Sequence, residues 1–379
     1  MNERVALVVN AGSSSLKAAT ANARGILARH AVERLDGSIG GYEAALVESI
    51  DALGLGDTIP SVIGHRIVHG GTRFTGPTRI DDSTIAGIAS LVPLAPLHQP
   101  PGLAAIAASQ RRFPVTPQVA CFDTAFHSTM PTVNSRFAIP RAMHDAGVKR
   151  YGFHGLSYEY IIGELGRLRP ELANARVVIA HLGAGASLCG LFNGRSVATT
   201  MGMTPLDGIP MSTRPGQLDP GILLHLLRTG RPSTDGTVDP LTVAQLDELL
   251  HHSCGLFGLS GISGDVRDLL TSQQPAAAEA LEYFASAVAR AIAGLASDLD
   301  GVDAVVFTAG IGEHAAPVRA EIMRRLHWLG VQPDAAANER HELVLTTDRS
   351  TVKALRIPTD EAAVIAAHAL TSLSSEGNP

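Results

Sequence analysis

The chain has 379 residues, 45% hydrophobic and 17% charged, with a formal net charge of -6. That length accommodates two domains of ordinary size, and the balance excludes a disordered chain. The net negative charge excludes the basic field that holds nucleic acid, so an anionic substrate must meet a local cluster of Arg or Lys.

Cys121, Cys189 and Cys254 are too widely spaced for a CxxC metal site, and their odd number argues against a disulfide framework. They read as small buried hydrophobes in a reducing compartment. The N-terminus, MNERVALVVN, lacks the apolar stretch and cleavage site of a signal peptide. No apolar run reaches the ~18 residues of a membrane span. The expectation is a cytoplasmic protein, with neither membrane nor nucleic acid among its partners.

Val5–Val9 is an apolar run ending in Asn10-Ala11-Gly12-Ser13-Ser14-Ser15-Leu16-Lys17, which reads as strand, turn, strand. The turn offers backbone N–H groups, three hydroxyls and an ammonium, which suits a phosphate chain; it is equally a serine-rich β-turn. In His65-Arg66-Ile67-Val68-His69-Gly70-Gly71, alternation puts Arg66 and Val68 on one face, where a guanidinium beside an apolar neighbour suits a small carboxylate. The other reading is an exposed Arg on an edge strand. Asp82–Leu91 and Gly102–Arg112 look helical, separated by the proline-rich loop 93–101.

Gln118–Phe122 reads as a strand that delivers Asp123 to its C-terminal end, as a ligand-facing acid or as a helix N-cap. A boundary between halves is expected near Arg141–Gly152. Tyr151-Gly152-Phe153-His154-Gly155 brackets a His with glycines, and Thr213-Arg214-Pro215-Gly216 sets an Arg beside one, which permits close approach to a ligand. Val177–Ala180 then runs into His181-Leu182-Gly183-Ala184-Gly185, a second strand–turn–strand in which Asn10 superimposes on His181. Two copies at a half-chain offset point to a duplicated α/β domain. Thr229–Pro240 reads as a surface loop, and Gly261–Asp268 as a glycine-rich turn with Asp265 and Arg267. Pro275–Leu299 is an Ala-rich helix, Ala304–Thr308 a strand leading through Gly310 and Gly312 into a further helix, and the tail after Leu373 is expected to be disordered.

Together, in this order, the segments N-A-G-S-S-S-L-K, G-H-R-I-V-H-G-G, P-L-A-P-L-H, F-D-T-A-F-H-S-T-M-P, Y-G-F-H-G-L-S, T-R-P-G-Q-L-D-P-G, F-T-A-G-I-G-E and P-T-D-E resemble the acetate kinase family. The family belongs to the acetate and sugar kinase/Hsp70/actin superfamily, and the resemblance runs from Val5 to His368. It implies an α/β fold of two duplicated actin-like ATPase (ribonuclease H-like) domains with an interdomain active-site cleft. The domains expected are 1–150, joined by about 362–379, and 151–361. It further implies ATP/ADP and acetate/acetyl phosphate as substrates, Mg2+ or Mn2+ as cofactor, and a homodimer.

By the same resemblance Asn10 and Glu361 place the metal, and Ser13, Ser15 and Lys17 face phosphate. His181, Leu182, Gly183, Ala184, Gly185, Asp265, Val266, Arg267, Gly310, Ile311, Gly312, Glu313 and His314 hold the nucleotide. Arg66, Val68, Leu97 and Pro205 form the acyl site, and Asp123, His154, Arg214 and Arg66 are catalytic. A carboxylate nucleophile is already ionised at neutral pH, so Asp123 is expected to orient an arginine or the metal shell and not to abstract a proton. The family's usual H-L-G-N-G reads with Ala184 here, its D-T-S-M-G with Ala198, and its Asn after G-I-G-E with His314. The alternatives within reach are a nucleotide-binding homologue without turnover and a kinase for a longer acid such as butyrate.

Overall fold

In the computed structural model, which describes residues 4–12, 15–36, 38–56, 58–232 and 238–374, two sheets share one wiring. The first sheet contains β1 (Ala6–Ala11), β2 (Ser15–Asn22), β3 (Gly25–Glu33), β4 (Val62–Ile67), β5 (Thr78–Arg79) and β6 (Gln118–Phe122). Its order is β3-β2-β1-β4-β6-β5. β1, β2 and β3 form an antiparallel meander, β4 and β6 add in parallel to β1, and β5 runs antiparallel along β6.

The remaining strands are β7 (Arg176–Leu182), β8 (Ala186–Phe192), β9 (Arg195–Thr199), β10 (Arg231–Pro232), β11 (Val238–Asp239), β12 (Ala304–Thr308) and β13 (Lys353–Arg356). β13-β12-β7-β8-β9 is again an antiparallel meander with two parallel strands added to its first member, while β10 and β11 pair separately. Val9 lies opposite His65 on β4, and Ala180 lies opposite Phe307 on β12. Overlaying the two registers therefore puts Asn10 on His181 and Arg66 on Thr308. The duplicated α/β fold expected from the two strand–turn–strand copies is present.

The chain divides into two compact units, one of Met1–Thr129, Phe137–Gly163 and Thr359–Pro379, the other of Met130–Arg136 and Glu164–Pro358. In the first unit the strand period of two decides which helix covers which face. Leu7, Val9, Leu16 and Ala18 pack with Tyr42, Leu46 and Ile50 of helix Ile39–Ala52 and with Ala105 and Ala108 of helix Gln99–Arg112. Ala6, Val8, Ala19 and Cys121 pack on the opposite side with Ile365 and Ala369 of helix Glu361–Ser372. In the second unit the long helix Pro275–Asp298 buries Phe284, Val288 and Ile292. Among the described residues no helix is long and apolar enough to cross a membrane.

Two expected boundaries shift for local reasons. The helix expected from Gly102 begins at Gln99, because Pro100 and Pro101 sit in its first turn, where a missing N–H costs nothing. The helix from Asp82 ends at Ala89, two residues early. Of the loop expected at Thr229–Pro240, residues 233–237 lie outside the described residues, as does 375–379 of the expected disordered tail.

Gly64 shows how closely Glu361–Ser372 docks. A Cβ there would stand 2.6 Å from Ile365 Cγ2 and 3.2 Å from both Ala369 Cβ and the Ile365 carbonyl oxygen. Gly64→Ala is expected to lower stability to urea by about 1–3 kcal/mol. A variant as stable as the parent would show that the helix is not seated at this distance.

Candidate active site

On the sheet face covered by Glu361–Ser372, alternation continues past the apolar residues into polar ones. Val8 is followed by Asn10, Gly64 by Arg66 and Cys121 by Asp123, all at the carboxyl ends of strands. The helix that covers this face begins with Glu361. Arg66 donates from Nε to Asp123 Oδ1 at 3.0 Å and from Nη2 to Oδ2 at 2.7 Å, a bidentate pair. Its Nη1 lies 3.5 Å from Asn10 Oδ1, and its Nε 3.7 Å from Glu361 Oε2. The Asp123 side chain is 1% exposed and that of Arg66 20%. Burial opposes the charge on Arg66, but Asp123 and Glu361 outweigh it and hold the guanidinium pKa above its ordinary value.

Backbone contacts lock this cluster. Asp123 N–H donates to the Ile67 carbonyl, and Gly70 N–H donates to Thr124 Oγ1. Gly155 N–H donates to the Asp123 carbonyl, so close that a Cβ on Gly155 would stand 2.0 Å from that oxygen. His154, one residue earlier, has φ 57, a left-handed conformation that a non-glycine residue keeps only where its surroundings impose it. They do: His127 Nε2 meets the Phe153 carbonyl at 3.0 Å on one side, and Gly155 is tied to Asp123 on the other. The structure thus brings Asn10, Arg66, Asp123 and Glu361 into one cluster, with His154 beside it through Gly155.

Val68 is buried just beyond β4, and Leu97 is half-buried ahead of helix Gln99–Arg112. Gln99, which the motifs did not flag, joins their two segments. It is wholly buried, accepts from His69 N–H at 3.2 Å and donates to the His69 carbonyl at 3.0 Å. At the β1–β2 hairpin, Gly12 N–H donates to the Ser15 carbonyl, and exposed Lys17 stands opposite Asn10 in the ladder. Ser13 lies outside the described residues.

In the second unit a pocket of about 480 Å³ is lined by three distant segments, through Gly183 and Ala184, Asp265 to Arg267, and Gly310, Ile311 and His314. Ser212 and Leu270 complete much of the wall. Small residues leave the space open, and backbone contacts fix its shape. Ser212 N–H donates to the Ala184 carbonyl, Gly183 N–H to the Gly185 carbonyl, and Ser212 Oγ to the Gly264 carbonyl. His181, Leu182 and Gly312 are buried behind this surface. Glu313 turns back to accept from Ala309 N–H at 2.9 Å, and Asp265 pairs with Arg267, which holds its carboxyl below the ordinary range. His314 is 74% exposed in the pocket wall.

Arg214 follows Ser212 by two residues. Among the described residues its guanidinium has one hydrogen-bond partner, the carbonyl of buried Pro205 at 2.8 Å. Desolvation lowers its pKa to about 10, so it stays a cation at neutral pH without a carboxylate to balance it. The loop around it cannot shift freely, since a Cβ on Gly255 would stand 2.2 Å from the Met211 carbonyl.

These geometries meet a consistent set of comparisons. The sequence matches the Acetokinase family over residues 43–367. The chain belongs to the acetokinase family. An acetate kinase from Nitrobacter hamburgensis is 44% identical over 396 residues, covering 97% of this chain and 96% of that protein. One from Methylocella silvestris is 46% identical over 310 residues, 82% of this chain and 74% of the other. Among solved structures, a propionate kinase from Francisella tularensis superimposes with a TM-score of 0.87 at 31% identity, covering 97% of this chain and 99% of that one. Porphyromonas gingivalis acetate kinase gives 0.84 at 31% identity, over 98% and 100%. With these relatives, the two similarly wired sheets of this acetokinase are two actin-like ATPase domains.

Two buried histidines flank the Arg66–Asp123 pair. Burial lowers both His65 and His127 to about 4, against the partial support of Gln118 for the first, and of the Phe153 carbonyl and Asp123 for the second. The unfolded chain takes up these protons near pH 6.5 and the folded chain only near 4. Stability is therefore full above about pH 7 and falls as pH drops from 6.5 towards 4, by about 1–3 kcal/mol per ring. Urea titrations across this range check the slope. His127→Gln keeps a donor for Phe153 and should remove one ring's share; an unchanged slope would contradict the assignment.

Proposed function

We propose that this chain is an acetate kinase, transferring the terminal phosphoryl of ATP reversibly to acetate by direct in-line attack to give acetyl phosphate and ADP. The observation that carries this reading is the contrast between its two arginines. Arg66 is neutralised in a buried bidentate pair beside an apolar residue, while Arg214, two residues from Ser212 in the pocket wall, is a desolvated cation whose one hydrogen-bond partner among the described residues is a carbonyl. The acid binds at the strand ends of the first unit, its carboxylate at the Nη1 edge of Arg66, where Asn10 Oδ1 also stands at 3.5 Å, and its methyl towards Val68 and Leu97. The nucleotide occupies the second unit's pocket, through the segments 181–185, 265–267 and 310–314. Ser13, Ser15 and Lys17 face phosphate.

The chemistry needs little from the protein beyond position and charge. Acetate is ionised at neutral pH and attacks without a general base. Asp123 is committed to Arg66, so its role is to fix that guanidinium. His154 and Arg214 stabilise the charge that spreads over the equatorial oxygens of the transferring group. Asn10 and Glu361 offer two hard oxygen donors, both within 3.7 Å of Arg66, and Arg66, Asp123 and Glu361 together carry a local charge of about -1. That set fits Mg2+ or Mn2+, which keep most of their shell as water and phosphate; the ion supplies neutralisation of phosphate charge. Propionate is a second acceptor, favoured by the likeness to the Francisella propionate kinase. The protein works as a cytoplasmic homodimer. Supporting association, helix Pro220–Thr229 buries no residue and leaves Ile222 and Leu224 43% and 50% exposed.

A hydroxamate assay with ATP, Mg2+ and acids of one to five carbons tests the reading. Product is expected with acetate and propionate, dependent on the metal and falling steeply for longer chains. Nucleotide binding without product from any short acid would instead favour a homologue that has lost turnover.

The arginines should separate by both kinetics and stability. Arg66→Ala is expected to raise KM for the acid, lower kcat and lower the melting temperature, because buried Asp123 loses both bidentate hydrogen bonds and its counter-charge. Arg214→Ala strands only a carbonyl, so it should melt near the parent while losing about 10²–10⁴-fold in kcat. Identical profiles for the two variants would overturn the division of roles.

A further inference from the structure

The pocket wall that carries Gly310, Ile311 and His314 is held from behind by a side chain without a role in the reading above. Arg319 lies in helix Ala316–Arg325, in a stretch, Arg-Ala-Glu-Ile-Met-Arg-Arg, whose charges read as a solvated face. Instead it is fully buried at 0% exposure. Its Nε donates to Asn338 Oδ1 at 2.9 Å, and its Nη1 to the carbonyls of Gly312 and Glu313 at 3.0 and 2.9 Å. Its Nη2 donates to the Asn338 carbonyl at 2.9 Å and faces His341 Nδ1 at 3.1 Å. All five contacts are neutral acceptors, with no carboxylate among them. Burial, with Arg356 nearby, pulls its pKa down to about 10 against the partial support of Glu339, so it remains a cation at neutral pH.

A buried guanidinium without a carboxylate is tolerated only where every donor is met, and here two of the acceptors belong to the last turn of helix Ala309–His314. That six-residue segment starts from a constrained position, since Ala309 has φ 64. Its first amide is held by the Glu313 carboxylate, and its last carbonyls are held by Arg319. Asn338 in turn is anchored, its Nδ2 donating to the Ala316 carbonyl at 2.9 Å. The pocket wall is thus gripped at both ends by side chains that do not line the pocket.

We propose that Arg319, fixed by Asn338 and His341, is a positioning residue for the nucleotide: it sets the Gly312 and Glu313 carbonyls and thereby the wall formed by Gly310, Ile311 and His314. This rests on the assignment of that pocket to the nucleotide. A residue that acts only on folding would lower stability without selecting one substrate. A clamp on this wall should weaken nucleotide binding and leave the acid alone.

The test is calorimetric binding of MgADP, with KM for ATP and for acetate and a melting curve on the same samples. Asn338→Ala removes the Oδ1 acceptor but keeps the backbone carbonyl. It should weaken MgADP by roughly ten-fold, as for a lost hydrogen bond to a charged group, with KM for acetate changed less than about two-fold. Asn338→Asp restores an acceptor for Arg319 and should bind MgADP within about two-fold of the parent. Arg319→Lys, whose single ammonium cannot span the five acceptors, should lose at least as much as Asn338→Ala; if it does not fold, the Asn338 pair decides. Equal MgADP affinity in the parent and Asn338→Ala overturns the clamp, as does an equal loss in the Ala and Asp variants. A parent that binds no MgADP overturns the pocket assignment itself.

Discussion

The bidentate pair between Arg66 and Asp123 is the constraint on which the first unit's strand-end cluster depends. A carboxylate as enclosed as Asp123 is tolerated only with a partner that satisfies both oxygens, and removing that partner costs about 3–5 kcal/mol. The pair therefore fixes the ends of β4 and β6 relative to each other and leaves Arg66 only its Nη1 edge, which meets Asn10 Oδ1 at 3.5 Å. The charge of the guanidinium is already largely offset. With Glu361 also at this guanidinium, two carboxylates surround one cation, and the cluster is short of positive charge.

The duplicated wiring serves opposite needs in the two units. Both expose the carboxyl ends of a central parallel trio, the position at which α/β sheets bind ligands. In the first unit these ends carry Asn10, Arg66 and Asp123, a cluster of charged and hydrogen-bonding groups. In the second they open onto Gly183, Ala184 and Gly310, which leave volume and exposed backbone. Thr308 occupies the station that Arg66 holds in the other copy. One topology thus gives a tight polar corner or a wide pocket according to side-chain size at equivalent stations.

Much of this was legible because it follows from period and local chemistry. The apolar runs ending in Gly-rich turns announced both copies of the meander, and alternation along β4 placed Arg66 on the face opposite His65 and Ile67. What stayed hidden depends on long-range contact. The sequence suggested that Asp123 orients an arginine or a metal shell, but not that its partner is Arg66, 57 residues apart, nor that Gln99 holds His69 just beyond β4. Arg319 was invisible for a sharper reason: a charged residue among Arg and Glu on a helix carries the signature of a solvated face, and only the burial of its five donors reveals otherwise. His154 was flagged by its glycine neighbours, but its left-handed backbone follows from contacts with Asp123 and His127 that local propensity cannot encode.

The departures from the family pattern become intelligible from where the pocket's rigidity originates. Ala184 stands where the resemblance to the family implies an Asn, and its turn is held by its own backbone, through Ser212 N–H on the Ala184 carbonyl and Gly183 N–H on the Gly185 carbonyl. A shorter side chain there does not loosen the scaffold. His314 stands on another segment of the same pocket, 74% exposed. A hydrogen bond to a charged group is worth about 1.5–3 kcal/mol, small against the stabilisation that positioned charges give a transition state. A side chain such as Ala184 or His314 that reaches only the open pocket can therefore change without disturbing the fold. Changes at Arg66, Asp123 or Arg319 would instead remove contacts that hold strand ends and the pocket wall in place.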